Sequence, residues 1–143
     1  MSQISTHQYM LDEILTSANN NVNPIEYLRD KIKSTYYLKY YIELSVSDKF
    51  TSIDINNIQL KQYSYHRSMA GAVLLNKQTV NIVKSVIMND EAKDSSKILQ
   101  FKALSEMLFE EESKILKAIL TKNLVSIFKN LTHEVLVESL NIG

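Results

Sequence analysis

Basic and aromatic side chains alternate along Lys61-Gln62-Tyr63-Ser64-Tyr65-His66-Arg67. Such a run suits a polyanion: ammonium and guanidinium groups meet phosphates, and ring faces stack on unpaired bases. The same cations suit an acidic protein surface. Lys77 and Lys84 extend the stretch, because no acidic residue occurs between Asp54 and Asp90. Segment 57–89 is therefore the candidate element for binding RNA or a partner, with Lys61, Tyr63, Tyr65, His66, Arg67, Lys77 and Lys84 as its residues. The bland alternative stands beside it: Tyr63 packs inward, and Lys61 and Arg67 are merely solvated, as helix charges commonly are. Total charge weighs against RNA, since 16 basic residues are matched by 16 acidic ones and RNA-binding domains are usually basic.

Tyr36, Tyr37, Tyr40 and Tyr41 form a second cluster. Tyrosine is enriched at binding hot spots, so all four are interface candidates. On a helix, Tyr37 and Tyr41 share one face and Tyr36 and Tyr40 an adjacent one. One pair is expected in the core with its hydroxyls at the rim, and the other on the surface.

Catalytic constellations are harder to write. His7, His66 and His133 stand far apart, with no His-x-x-x-His or Glu-x-x-His spacing, so no metal site is expected. Two lone glycines exclude the glycine-rich phosphate loops, and the absence of cysteine removes thiolate ligands, disulfides and the commonest thiol nucleophile. Glu110-Glu111-Glu112 reads as a helix start, where carboxylates meet the positive end of the helix dipole. The expectation is a non-enzymatic binding protein without cofactor.

These residues need helices to position them. With 143 residues, 2 Gly and 1 Pro, the chain has length for one core but few turns for hairpins. An all-α single domain over 1–143, of about six to eight short helices, follows. The first helix spans Ser5 to Ala18 and stops at Asn19-Asn20-Asn21, short amides that compete for backbone hydrogen bonds. Asn23-Pro24 with Glu26 is an N-cap, an N1 proline and an acidic third residue. Further helices are predicted over Thr35 to Val46, Ile58 to Leu75, and from a cap at Asn76 through Val80, Val83 and Ile87. One more starts at Ser95 or Ser96 and runs to Phe109, burying Leu99, Ala103, Leu104, Met107 and Leu108. Shorter ones cover Glu112 to Leu120 and Leu124 to Phe128. Thr132 caps the last, whose apolar side is Val135, Leu136, Val137 and Leu140. No signal peptide and no apolar run of about 20 residues is present, so no membrane segment is expected, and the absent cysteines fit a reducing cytoplasm.

Several stretches resemble small proteins of T-even-like phages and their marine relatives. Leu11-Asp12-Glu13-Ile14-Leu15 with Pro24-Ile25-Glu26-Tyr27-Leu28-Arg29 is similar to their N-terminal helix pair. Gln100-Phe101-Lys102-Ala103-Leu104-Ser105-Glu106-Met107-Leu108, Glu112-Ser113-Lys114-Ile115-Leu116-Lys117-Ala118-Ile119 and Leu131-Thr132-His133-Glu134-Val135 resemble their C-terminal portion. The marine members' proline-rich stretch after the second helix is missing. This is the family of the mRNA-metabolism modulator (ComC-alpha), an antitermination factor linked genetically to the host Rho termination factor. The resemblance implies a phage early protein, acting in the host cytoplasm, that alters termination or transcript survival by binding Rho or RNA. A phage structural or anti-defence role is the remaining alternative.

Overall fold

The computed structural model describes residues 10–46, 73–87, 91 and 93–141. Among these the chain is all-α: α1 (Leu11–Asn19), α2 (Pro24–Ser34), α3 (Leu38–Val46), α4 (Lys77–Ile82), α5 (Asp94–Met107), α6 (Glu110–Leu120) and α7 (His133–Leu140). A π turn, Val83–Ile87, continues α4, and a 3-10 turn, Leu124–Ser126, follows α6. No β-strand occurs among the described residues.

Three helix starts follow the local chemistry read from the sequence. The Asn23 side chain accepts from the Glu26 N–H at 3.2 Å with Pro24 in the first turn. Asn76 accepts from Gln78 and Thr79 at 2.9 and 3.3 Å, and Thr132 from Val135 at 3.3 Å. Each satisfies an amide that the helix itself leaves unpaired. The asparagine stop works through a tertiary clasp as well. Asn130 donates its backbone N–H to Asn19 Oδ1 at 2.8 Å and its side-chain amide to the Asn19 carbonyl at 2.7 Å.

α6 is the central element. It packs on α1, α3 and α5, while α7 lies across α2 and α3. Its buried side chains Ile115, Leu116, Ile119 and Leu120 meet Leu11, Leu15, Leu38 and Tyr41 in one contiguous core. The helix ends in a Schellman arrangement: Asn123 N–H donates to Ala118 O at 2.7 Å and Lys122 N–H to Ile119 O at 3.1 Å. Lys122 takes the left-handed conformation there, at φ 59°, where glycine is usual. Arg29 ties α7 to α2, with Nη2 donating to the Glu138 carbonyl at 3.0 Å.

Elsewhere the structure departs from expectation. α3 begins at Leu38 rather than Thr35; Thr35 is extended, and Tyr37 sits at φ 73°, a left-handed turn that a continuous helix forbids. Val73, Leu74 and Leu75 were expected to close a helix, but this buried run is irregular, because the Leu74 peptide groups bond to side chains instead. Leu124 to Phe128 forms only a 3-10 turn. α5 buries Phe101 and Leu104, and Leu108 just past its end is buried too, while Leu99, Ala103 and Met107 face solvent. Val137 on α7 is likewise exposed. The Ser5–Tyr9 part of the first helix, and the helix expected over Ile58 to Ala72, lie outside the described residues.

Candidate functional site

Two arrangements of polar chemistry stand out, one on the surface and one inside. On the surface, the α2–α3 turn and the start of α3 carry the tyrosine cluster. Its members divide singly, not in the expected pairs. Tyr36 is 88% exposed, Tyr37 and Tyr40 are half-buried, and Tyr41 is in the core. The late start of α3 causes this, since Tyr36 and Tyr37 precede the helix and helical spacing does not apply to them. Tyr41 is therefore removed from the interface candidates. Its hydroxyl points inward, donating to the Leu74 carbonyl at 2.6 Å, rather than to the rim.

The π turn brings Lys84 to Tyr40. Exposed Lys84 places Nζ 4.8 Å from the centre of the Tyr40 ring, within the range of a cation–π contact. Burial pushes the Tyr40 phenol up to about 12. The Tyr36 and Tyr37 rings lie 5.9 Å apart on the preceding turn. Thus Tyr40 and Lys84 form a cation–aromatic contact at the start of α3, and exposed Tyr36 and half-buried Tyr37 stand on the turn that precedes it. Lys77 is exposed at the first turn of α4. Lys61, Tyr63, Tyr65, His66 and Arg67 lie outside the described residues.

Inside, Glu112 is fully buried at 0% exposure. Oε2 accepts the Asp12 N–H at 2.8 Å and Oε1 accepts the Leu74 N–H at 2.8 Å. At the start of α1 the Met10 N–H donates to Glu13 Oε1 at 3.4 Å, while the Met10 side chain caps no amide of the first turn. Glu112 caps the Asp12 N–H from 100 residues away, and the positive end of α1 favours the carboxylate. Leu74 is then held from both ends, its N–H by Glu112 and its carbonyl by Tyr41. Desolvation raises the Glu112 pKa, and the Leu74, Asp12 and Leu11 amides only partly offset it. Asp12 is raised too, by burial and by neighbouring Glu111 and Glu13. Burial, together with Glu112 and Tyr40, holds the Tyr41 phenol far above its ordinary value.

Sequence reasoning took Glu112 for a dipole-facing helix start, which is only half of its role. The missed signal was its phase: positions 112, 115, 116 and 119 recur at i, i+3, i+4 and i+7, placing Glu112 on the apolar face of α6. His133 is exposed at the start of α7, and no group of three or more potential metal ligands occurs among the described residues. No helix among them is long and apolar enough to cross a membrane. The fold and site define an all-α protein with a buried carboxylate clamp and a cation–aromatic edge. Comparison with protein-family models, curated proteins and solved structures finds no match to this chain.

Proposed function

We propose that this chain is a phage regulatory protein that binds a host transcription-termination or RNA-processing factor, with Rho as the best candidate. It acts in the host cytoplasm by occupying a protein surface rather than by catalysis. The observations that carry the binding reading are the Lys84–Tyr40 cation–aromatic contact and the exposed Tyr36 on the turn before α3. Exposed Tyr36 offers a large, stiff contact area, and the cation at Tyr40 suits an acidic partner. The partner class comes from the resemblance of the helix blocks to the antitermination family. The test is a pull-down from host lysate with the tagged chain, read by mass spectrometry. Enrichment of Rho is expected; enrichment of unrelated proteins alone removes the Rho assignment.

Direct RNA binding through 57–89 is the second reading, favoured by the absence of acidic residues between Asp54 and Asp90. It requires affinity for bare RNA that falls steeply with salt and drops in Lys61 and Arg67 variants. A structural or anti-defence phage protein is the third.

A further inference from the structure

Tyr40 and Tyr41 are consecutive on α3, so their side chains leave the helix about 100° apart. Tyr41 enters the core and Tyr40 stays half-buried. Both reach the same stretch of chain, at different points. The Tyr41 hydroxyl donates to the Leu74 carbonyl at 2.6 Å, and Lys84 Nζ lies 4.8 Å from the centre of the Tyr40 ring. Between these points the backbone is tied turn by turn. The Asn76 side chain closes the first turn of α4 on Gln78 and Thr79, and the Val83 N–H returns to the Thr79 and Val80 carbonyls where α4 runs into the π turn. Leu74 is thus the anchored end of a short lever, and Lys84 stands at the other end.

We infer that Glu112 and Tyr41 are positioning residues for the Tyr40–Lys84 pair: by holding the Leu74 peptide groups from both sides, they set where the π turn presents its cation. Relative strengths give the direction of this control. A cation–π contact made by an exposed lysine is weak, whereas a buried carboxylate–amide bond and a buried carbonyl bond are costly to leave unmade. Lys84 therefore does not hold the lever; the clamp does. The frame behind the clamp is firm, because α3 and α6, which supply Tyr41 and Glu112, pack directly on each other. The π turn also packs on α5, with Val83 buried there. That packing holds the turn against α5, and the clamp holds its register against α3. The functional weight of this coupling rests on the binding reading of the Tyr40–Lys84 pair. The coupling itself is present in the free chain, so it can fail while that reading stands, and the reverse.

NMR of the free chain tests it, with Lys84→Ala identifying the Lys84 signals. In the parent, the Tyr40 ring should shield the Lys84 Cε protons and share a cross-peak with them. Tyr41→Phe keeps the ring, which packs 5.7 Å from that of Tyr40, and removes only the hydroxyl that reaches Leu74. The Lys84 signals should then move to the position of those of exposed Lys39 and lose the cross-peak. Glu112→Gln should do the same; Tyr41→Phe is the milder change and decides the outcome if the glutamine variant does not fold. Asn23→Ala loosens α2 without touching the lever and should leave the Lys84 signals in place, which separates positioning from general destabilisation. Parent-like Lys84 signals in folded Tyr41→Phe overturn the inference, since packing on α5 would then suffice. An equal movement in Asn23→Ala overturns it too, as does a parent in which Lys84 shows neither shielding nor cross-peak.

Discussion

Replacing Glu112 with glutamine keeps the shape of the side chain and turns one of its two acceptors into a donor. In the folded chain both oxygens face backbone N–H groups, Asp12 on one side and Leu74 on the other, each at 2.8 Å. Whichever way the glutamine amide turns, its NH2 meets an N–H, and a buried donor at α1 or at residue 74 loses its partner. That costs about 1–3 kcal/mol. Removal of the buried charge returns part of this, because the ionised carboxylate is poorly solvated there. We therefore expect Glu112→Gln to lower unfolding free energy by about 1–3 kcal/mol at neutral pH. Glu112→Ala also opens a cavity and should cost about 3–5 kcal/mol. Urea denaturation measures both, and amide hydrogen exchange localises the effect, with Leu74 and Asp12 losing protection before the α6 core. A glutamine variant as stable as the parent, with those two amides still protected, refutes the clamp.

The pH dependence follows from the same carboxylate. Burial raises its folded-state pKa above the ordinary carboxylate value, so the folded chain binds this proton more tightly than the unfolded one. The contribution is fully present below the unfolded value and is lost as pH rises through the folded one. The stability advantage of the parent over Glu112→Gln should accordingly grow on acidification from neutral towards pH 4.5; urea titrations showing it shrink contradict the assignment. Tyr41→Phe leaves the Leu74 carbonyl unpaired in the core and should cost about 1–3 kcal/mol by thermal or urea unfolding. Asn23→Ala removes the α2 cap and should cost about 1 kcal/mol, with loss of protection confined to the first turn of α2. In a spectrophotometric titration Tyr40 should ionise near its raised value of about 12, and Tyr40→Phe should remove that late component.

Local chemistry made the helix ends legible. Asn23, Asn76 and Thr132 act on amides two or three residues away, so the sequence window that contains the cap also contains its target. The tyrosine cluster was legible only in part. Its pairing depended on where α3 begins, and a left-handed Tyr37, held by tertiary packing, moved that point by three residues. α5 shows a different limit: Leu99, Ala103, Leu104 and Met107 lie on different sides of the helix, and periodicity alone does not say which side meets the core. Glu112 escaped because charge outweighed phase in the reading of Glu110-Glu111-Glu112, although its partners at Asp12 and Leu74 are distant in sequence. The all-α class was open from the start, since scarce glycine and proline constrain the whole chain at once.

The proposal that Tyr36 and the Tyr40–Lys84 pair engage a host termination factor is tested most directly by titrating purified host Rho with the intact chain and with a Tyr36→Ala, Lys84→Ala double variant. Both side chains are exposed, so the variant should fold as the parent does. Saturable binding by the parent, weakened roughly tenfold or more in the variant, as loss of an interface anchor implies, is the predicted result. No saturable binding, or equal binding by the two proteins, contradicts it.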